Sequence, residues 1–208
     1  MNKILQQVKG LTIGYKGKTL FSNIGFDICE GDCILLCGVN GSGKTTLLKA
    51  LAEAKSDIET AMIPTRIPKV KGFTLREFID LSCYNSPSAE PAKALEMLSL
   101  SDLADRDIST LSDGEFQKGT IAAAIAKGAE IIYLDEPTAF LDAENKKKVL
   151  KTLRDICENS GKAVIFSSHD LHEGLLACNK VIALGSDGQF RISSSDREKT
   201  VATIFSNE

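Results

Sequence analysis

The residue types with the clearest chemical meaning lie in residues 38–45 of the chain. These residues fit the pattern G-x-x-x-x-G-K-[ST] of phosphate-binding loops. Glycines let backbone N–H groups turn towards an anion, and the lysine places a positive charge against the outer phosphates. The last residue offers a hydroxyl to Mg²⁺. We therefore predict a nucleotide phosphate site formed by Gly38, Val39, Asn40, Gly41, Ser42, Gly43, Lys44, Thr45 and the adjoining Thr46.

The flanking segments supply the elements that such a loop needs. Residues 34–37 are an apolar run that predicts a buried strand, and residues 46–52 predict a helix with its leucines on one side. The order of strand, glycine loop and helix aims a helix N-terminus at phosphate. The alternative is a glycine-rich turn that merely joins two buried elements.

Two further predicted strands end in residues that suit phosphate chemistry. Residues 130–134 run into Asp135 and Glu136, and residues 163–166 are followed by His169. Asp135 is placed to hold Mg²⁺, directly or through water, and Glu136 is the candidate general base for an attacking water. His169 is the candidate donor to the γ-phosphate. The alternatives are buried structural acids and a loop histidine with a purely structural hydrogen bond.

The pattern of the whole chain predicts an α/β fold. Residues 7–12 and 19–28 indicate antiparallel strands, and alternating strands and helices over residues 128–166 indicate a doubly wound core. Between them, proline-punctuated residues 61–127 predict a short helical insertion, with a capping box at Thr74 and Glu77. We expect one domain over residues 1–208, whose core is residues 1–60 and 128–208. Ligands of such sheets bind beyond the carboxyl ends of the strands.

Composition limits the classes of partner. The net charge of -3 gives no sign of nucleic-acid binding, and the lysines of residues 146–151 fit the solvent face of a helix, with Glu144 and Lys148 four residues apart. No apolar run approaches the ~20 residues of a membrane span, and no signal peptide is recognisable, so we expect a cytoplasmic protein. The evenly spaced Cys29, Cys33 and Cys37 lack a fourth metal ligand nearby and are expected to be free thiols.

Four more segments make the chain similar to the ATP-binding-cassette (ABC) ATPases. Residues 111–115, LSDGE, resemble the LSGGQ signature, and residues 131–138 resemble the Walker B strand with its glutamate. Residues 139–142 resemble the D-loop, and residues 168–170 the switch-histidine segment. The resemblance covers nearly the whole chain. It implies a P-loop NTPase of ABC ATPase type: a mainly parallel core sheet, an N-terminal antiparallel β subdomain and a short helical insertion.

The resemblance also implies substrates and partners. ATP is the expected nucleotide, hydrolysed with Mg²⁺, and Tyr15 is expected to stack on adenine unless it is only a surface residue of a hairpin. Ser112 and Gly114 are expected to face the ATP held by a second copy, in a head-to-tail dimer; the simpler alternative is a capping box of Ser112 with Glu115. A separate transmembrane permease is the expected partner, at the cytoplasmic face of the membrane. Importers of iron chelates and cobalamin are the most similar subgroup.

Some positions depart from the family pattern. Thr65 stands where the family has a glutamine near Mg²⁺, Asp113 replaces a signature glycine, and Phe116 and Ala123 replace common arginines. Two alternatives to a transporter subunit therefore remain. One is a nucleotide-gated clamp for another macromolecule, and the other is a cassette that binds ATP but scarcely hydrolyses it, for which Thr65 is the best support.

Overall fold

The N-terminal strands form a separate antiparallel hairpin. The structure is a computed structural model that describes residues 2–15, 17–55, 57–185 and 188–205. Strand β1 (Ile4–Tyr15) pairs with β2 (Lys18–Cys29) from Tyr15 opposite Lys18 to Ile4 opposite Cys29. Register shifts interrupt this pairing, and the apolar residues that face inwards pack on the main body of the chain. The predicted antiparallel strands are thereby confirmed.

A second sheet of six strands forms the core. Its strands are β3 (Cys33–Gly38), β4 (Thr60–Ile63), β5 (Ile131–Leu134), β6 (Ala163–Ser167), β7 (Lys180–Leu184) and β8 (Phe190–Ser193). Their order across the sheet is β4-β5-β6-β3-β7-β8, with every neighbouring pair parallel except β7 and β8. Strands β3, β5 and β6 are buried throughout, as expected for parallel strands covered on both faces.

The helices and the hairpin cover the two faces of this sheet. The helices are α1 (Lys44–Glu53), α2 (Leu75–Ser82), α3 (Pro91–Met97), α4 (Asp113–Ala126), α5 (Ala143–Ser160), α6 (Leu171–Ala177) and α7 (Arg197–Phe205). Alternation along β3 divides the core into two clusters: Leu35 belongs to the cluster formed with α2 to α7, whereas Ile34 and Leu36 belong to the cluster formed with α1 and the hairpin. No helix among the described residues combines the length and the hydropathy that crossing a membrane requires.

Residues next to the helix ends cap α2 and α5. Thr74 and Glu77 form the capping box of α2, and Asp142 accepts a hydrogen bond of 2.8 Å from the Asn145 N–H at the start of α5. Gly161 ends α5 with a φ of 64°. These caps satisfy backbone groups that the ends of α2 and α5 would otherwise leave without partners.

The two cysteines of β3 lie in the hydrophobic core. Cys33 and Cys37 are buried in β3, and the described residues contain no group of three or more potential ligands that could hold a metal ion. Burial raises the pKa of the Cys37 thiol to about 12. These buried thiols behave as small hydrophobic side chains.

Candidate functional site

A cavity of about 570 Å³ lies beyond the carboxyl ends of β3, β5 and β6. It brings together residues from the hairpin, the glycine loop, the start of α1 and the segments that follow β4, β5 and β6. Its walls are formed by Tyr15, Lys18, Leu20, Asn40, Gly41, Gly43, Lys44, Thr45, Thr46, Thr65, Asp135, Glu136 and His169. Most of the residues predicted for nucleotide binding and catalysis therefore face one space.

The glycine loop leads directly into α1. Gly43, which precedes the helix, has a φ of 100°, and no side chain caps the first turn. The first N–H groups of a helix lack partners within the helix, so an uncapped N-terminus suits an anion. Glycine is favoured at such a φ because a β-carbon would be strained there. Gly38, Val39 and Ser42 belong to the same loop without lining the cavity.

Lys44 is held in the loop by backbone oxygens. Its Nζ donates hydrogen bonds of 2.7 Å to the Gly38 carbonyl and 3.1 Å to the Val39 carbonyl. The side chain is buried, which lowers the pKa of Lys44, and the charges of Glu136 and Asp135 oppose that effect. A buried ammonium beside an open cavity is a fixed positive charge for phosphate oxygens.

Asp135 accepts hydrogen bonds from three hydroxyl groups. Thr45 Oγ1 donates to Oδ2 over 2.8 Å, Thr65 Oγ1 donates to the same oxygen over 3.0 Å, and Ser167 Oγ donates to Oδ1 over 2.8 Å. The carboxylate is itself buried. Carboxylate and hydroxyl oxygens are the donors that Mg²⁺ prefers, so Asp135 and Thr45 fit this cation.

Ser167 also positions Glu136, and the sequence offers only a faint signal for it. The Glu136 N–H donates a hydrogen bond of 2.9 Å to Ser167 Oγ, which itself donates to Asp135. The serine therefore ties together the two acids at the end of β5. The only sequence feature that marks Ser167 is its position as the first polar residue after the apolar run of β6.

Glu136 has the geometry of a residue held for chemistry. Its φ of 52° is uncommon for a residue other than glycine, and strain of this kind concentrates at functional sites. Oε1 is buried and accepts no hydrogen bond from the described residues, although His169 Nε2 lies 3.2 Å away. Burial raises the pKa of Glu136, and the neighbouring His169 opposes this shift. A largely buried carboxylate with a raised pKa suits a general base.

The hairpin supplies the outer wall of the cavity. Tyr15, at the end of β1, leaves 65% of its surface exposed, which is ample for a planar ring to stack on it. Lys18 and Leu20, from the start of β2, lie on the same wall and were not predicted. Predicting these two residues requires knowing that Tyr15 pairs with Lys18, because that pairing places β2 beside the glycine loop.

Ser112 and Gly114 lie elsewhere. Both belong to the N-terminal end of α4, where Ser112 forms a capping box with Glu115: Ser112 Oγ accepts from the Glu115 N–H over 3.2 Å, and the Ser112 N–H donates to Glu115 Oε2 over 2.7 Å. Neither residue lines the cavity. The predicted capping box is present, and the cavity of one copy lacks these two candidate phosphate ligands.

The two residues of α4 that replace common arginines of the family, Phe116 and Ala123, pack in the core. The rings of Phe116 and Phe78 pack with their centroids 5.5 Å apart, and Ala123 is buried in the core. An arginine at either position would place a charge among the apolar side chains of this cluster. The helical insertion is thus adapted to an apolar contact between α2 and α4.

Comparisons with known proteins agree with this geometry. A family model described as "ABC transporter" matches residues 21–139. A zinc import ATP-binding protein of Cereibacter sphaeroides is 31% identical, over 79% of this chain and 72% of that protein. An achromobactin transport ATP-binding protein of Dickeya dadantii is 30% identical, over 81% of this chain and 73% of that protein.

A solved structure is similar over nearly the full length. It is an inward-facing metal-chelate type ABC transporter, with a TM-score of 0.86 and 26% identity, and the match covers 99% of this chain and 90% of that one. The mainly parallel sheet, the antiparallel hairpin and the helical insertion are therefore features of a known fold.

Proposed function

This chain belongs to the ABC transporter family as an ATP-binding, ATP-hydrolysing subunit, and we propose how its own residues carry out that reaction. The observation that carries the proposal is the convergence of Lys44, Thr45, Asp135, Glu136 and His169 on one cavity. An anion site, a set of hard oxygen ligands and a buried base are the parts that phosphoryl transfer to water needs.

The loop and the hairpin bind the substrate. The N–H groups at the start of α1 receive the phosphates of ATP, and Lys44 shifts its hydrogen bonds from the loop carbonyls to the outer phosphate oxygens. Tyr15 stacks on the adenine ring. Residues 38–43, 45 and 46 shape the phosphate end of the site.

Thr45 and Asp135 are the residues that would hold Mg²⁺. When bound, the cation neutralises charge on the phosphate oxygens. Thr65 occupies the place of the family's glutamine and shares Asp135 Oδ2 with Thr45. Because its hydroxyl already reaches the carboxylate, Thr65 supports the cation site through Asp135 and does not need to extend as far as a glutamine.

Glu136 and His169 act on the attacking water. The water oxygen bonds to the γ-phosphorus, the bond from that phosphorus to the oxygen of ADP breaks, and Glu136 accepts the proton of the water. Burial, which raises the pKa of Glu136, makes the carboxylate a stronger base. His169, beside Oε1, orients the water and donates to the γ-phosphate.

A second copy completes the site. Because Ser112 and Gly114 lie outside the cavity of their own chain, we place them against the ATP of a partner copy in a head-to-tail dimer. Here the N-terminus of α4 supplies further donors to phosphate.

A separate permease is the proposed membrane partner. Val70, Phe73 and Leu81, in and around α2, expose apolar surface that suits a helix of another protein. The chain would thus lie on the cytoplasmic face of the membrane. The names of two similar proteins, a zinc import ATP-binding protein and a metal-chelate type ABC transporter, support transport of a metal ion or a metal chelate.

Steady-state phosphate release tests the hydrolytic role. The purified chain should release phosphate from ATP with Mg²⁺, and Glu136→Gln should lower kcat by about 10²–10⁴-fold. Glu144→Gln, which changes an exposed acid on α5, is the matched control and should keep the parent rate. Equal rates for Glu136→Gln and the control would refute the mechanism.

Two further results separate the alternatives. A wild-type rate no higher than that of Glu136→Gln would favour the cassette that scarcely hydrolyses ATP. Co-purification with a macromolecule other than a membrane-spanning protein would favour the nucleotide-gated clamp.

A further inference from the structure

An ion pair lies at the start of α4, where the family has a glycine. Lys69 Nζ is 2.7 Å from Asp113 Oδ1, and it also donates a 2.7 Å hydrogen bond to the Leu111 carbonyl. The ammonium lies 5.8 Å from the centre of the Phe116 ring. Lys69 therefore contacts the residues on both sides of Ser112.

The pair contributes little to the stability of the fold. The Asp113 side chain is 75% exposed, and exposed ion pairs are screened by solvent. The helix is already capped by Ser112 and Glu115, whose hydrogen bonds do not involve Lys69. The position of the pair, beside Ser112, points to a role at the phosphate-facing end of α4.

Asp113 poses an electrostatic problem at that end. Lys69, with a smaller contribution from Arg66, holds the pKa of Asp113 below its ordinary value, so the carboxylate is ionised at neutral pH. A carboxylate beside an incoming γ-phosphate repels it, and like charges brought together across an interface weaken binding strongly. Without a compensating cation, Asp113 would oppose closure of the dimer.

The loop that carries Lys69 also contacts the chain's own ATP site. Four residues earlier, Thr65 donates to Asp135, and Arg66 lies 5.2 Å above the ring of Phe140 in the D-loop segment. The segment from Thr65 to Lys69 therefore joins Asp135, Phe140 and the start of α4. At one end, Thr65 contacts the ATP site of its own chain. At the other end, Lys69 contacts the start of α4, which in the proposed dimer faces the ATP of the partner copy.

We propose that Lys69 is a positioning residue for the partner's ATP. Its ammonium compensates the charge of Asp113 and holds residues 111–113 in place, so that the N-terminus of α4 accepts the γ-phosphate bound by the other copy. The inference rests on the proposed function, in which two copies close around ATP. It adds a residue outside the family motifs to the interface half of the site.

A charge-rescue experiment tests this role in the Glu136→Gln background, which closes around ATP without turnover. The measured quantity is the ATP concentration for half-maximal dimerisation with Mg²⁺, followed by light scattering. Lys69→Ala should raise this concentration by about tenfold or more, because Asp113 is then uncompensated. Asp113→Asn alone should dimerise at an equal or lower ATP concentration than the parent. Combining Lys69→Ala with Asp113→Asn should return the value to near that of the parent.

Two controls separate positioning from general damage. Lys71→Ala removes an exposed lysine of the same loop that is not among the charges acting on Asp113, and it should leave dimerisation unchanged. Fluorescent ATP should bind monomeric Lys69→Ala as tightly as the parent, because Lys69 does not line the cavity.

The remaining outcomes refute the inference. Dimerisation of Lys69→Ala at the parent's ATP concentration would show that the pair has no such role. A double variant as weak as Lys69→Ala would show that Lys69 does not act through the charge of Asp113. Failure of the Glu136→Gln parent itself to dimerise would overturn the proposed dimer and this inference together.

Discussion

Replacing Gly38 with alanine should damage the junction of β3 and the phosphate loop. Gly38 has a φ of 150°, and a β-carbon built there would lie 2.5 Å from the Leu184 carbonyl oxygen and 2.6 Å from Ser42 Oγ. Leu184 is the register partner of Gly38 in β7, so its carbonyl cannot withdraw without disturbing the sheet. Gly41, in the same loop, has a φ of 80°, and a β-carbon there would meet nothing within 4 Å.

The expected cost follows from comparing the two glycines. Both alanine variants carry the penalty of a positive φ, about 1–2 kcal/mol. Only Gly38→Ala adds overpacking against fixed atoms, which costs about 1–3 kcal/mol. The free energy of unfolding of Gly38→Ala should therefore lie about 1–3 kcal/mol below that of Gly41→Ala. For a chain of 208 residues this corresponds to a Tm lower by about 2–12 °C.

Differential scanning calorimetry without nucleotide measures this difference directly. Gly41→Ala is the matched control, since it changes the same residue type in the same loop without a clash. Equal Tm values for the two variants would refute the close approach of Gly38 to β7, and with it the placement of the loop against the sheet.

Three other perturbations test the site and the core. Ser167→Ala should lower kcat for ATP hydrolysis by about 10–100-fold, because it removes the hydroxyl that orients both Asp135 and Glu136; a parent-like kcat in a phosphate-release assay would contradict this role. The ATPase rate should fall as the pH is lowered through the raised pKa of Glu136, because only the ionised carboxylate accepts a proton. In a pH–rate profile, a kcat that stays flat down to about pH 4.3, the ordinary glutamate pKa, would contradict the base assignment. The Cys37 thiol, with a pKa of about 12, should react with a thiol reagent at neutral pH only after unfolding; rapid labelling of that residue in the native protein, located by peptide mass analysis, would show that it is not buried.

Much of the fold follows from local patterns along the chain. Strands β3, β5 and β6 are apolar runs bounded by polar residues, and the capping boxes at Thr74 and Ser112 are three-residue spacings, so neighbouring residues suffice to predict them. No element beyond His169 is predicted from the sequence, although the structure has α6, β7, β8 and α7 there. Strand β7 is an apolar run of the same kind, but its place beside β3, which is remote in sequence, is not encoded by local patterns.

The residues of the site likewise include some that local patterns predict and some that they do not. Lys44, Asp135, Glu136 and His169 are predicted to meet because each follows a strand whose carboxyl end lies at one edge of the sheet. The hydrogen bonds of Thr65 and Ser167 to Asp135, and the pairing of Lys69 with Asp113, join segments far apart in sequence. No local pattern encodes such contacts, because they depend on how the connecting loops pack.

The assembled site is tested most directly by the mass of the Glu136→Gln variant with and without ATP. Multi-angle light scattering should give the mass of one chain without nucleotide and twice that mass at saturating ATP with Mg²⁺, because in the proposed dimer Ser112 and Gly114 of one copy complete the cavity of the other. Adding Lys44→Ala should abolish the change, since that variant lacks the charge that binds the outer phosphates. A Glu136→Gln protein that binds ATP and keeps the mass of a single chain would contradict the account.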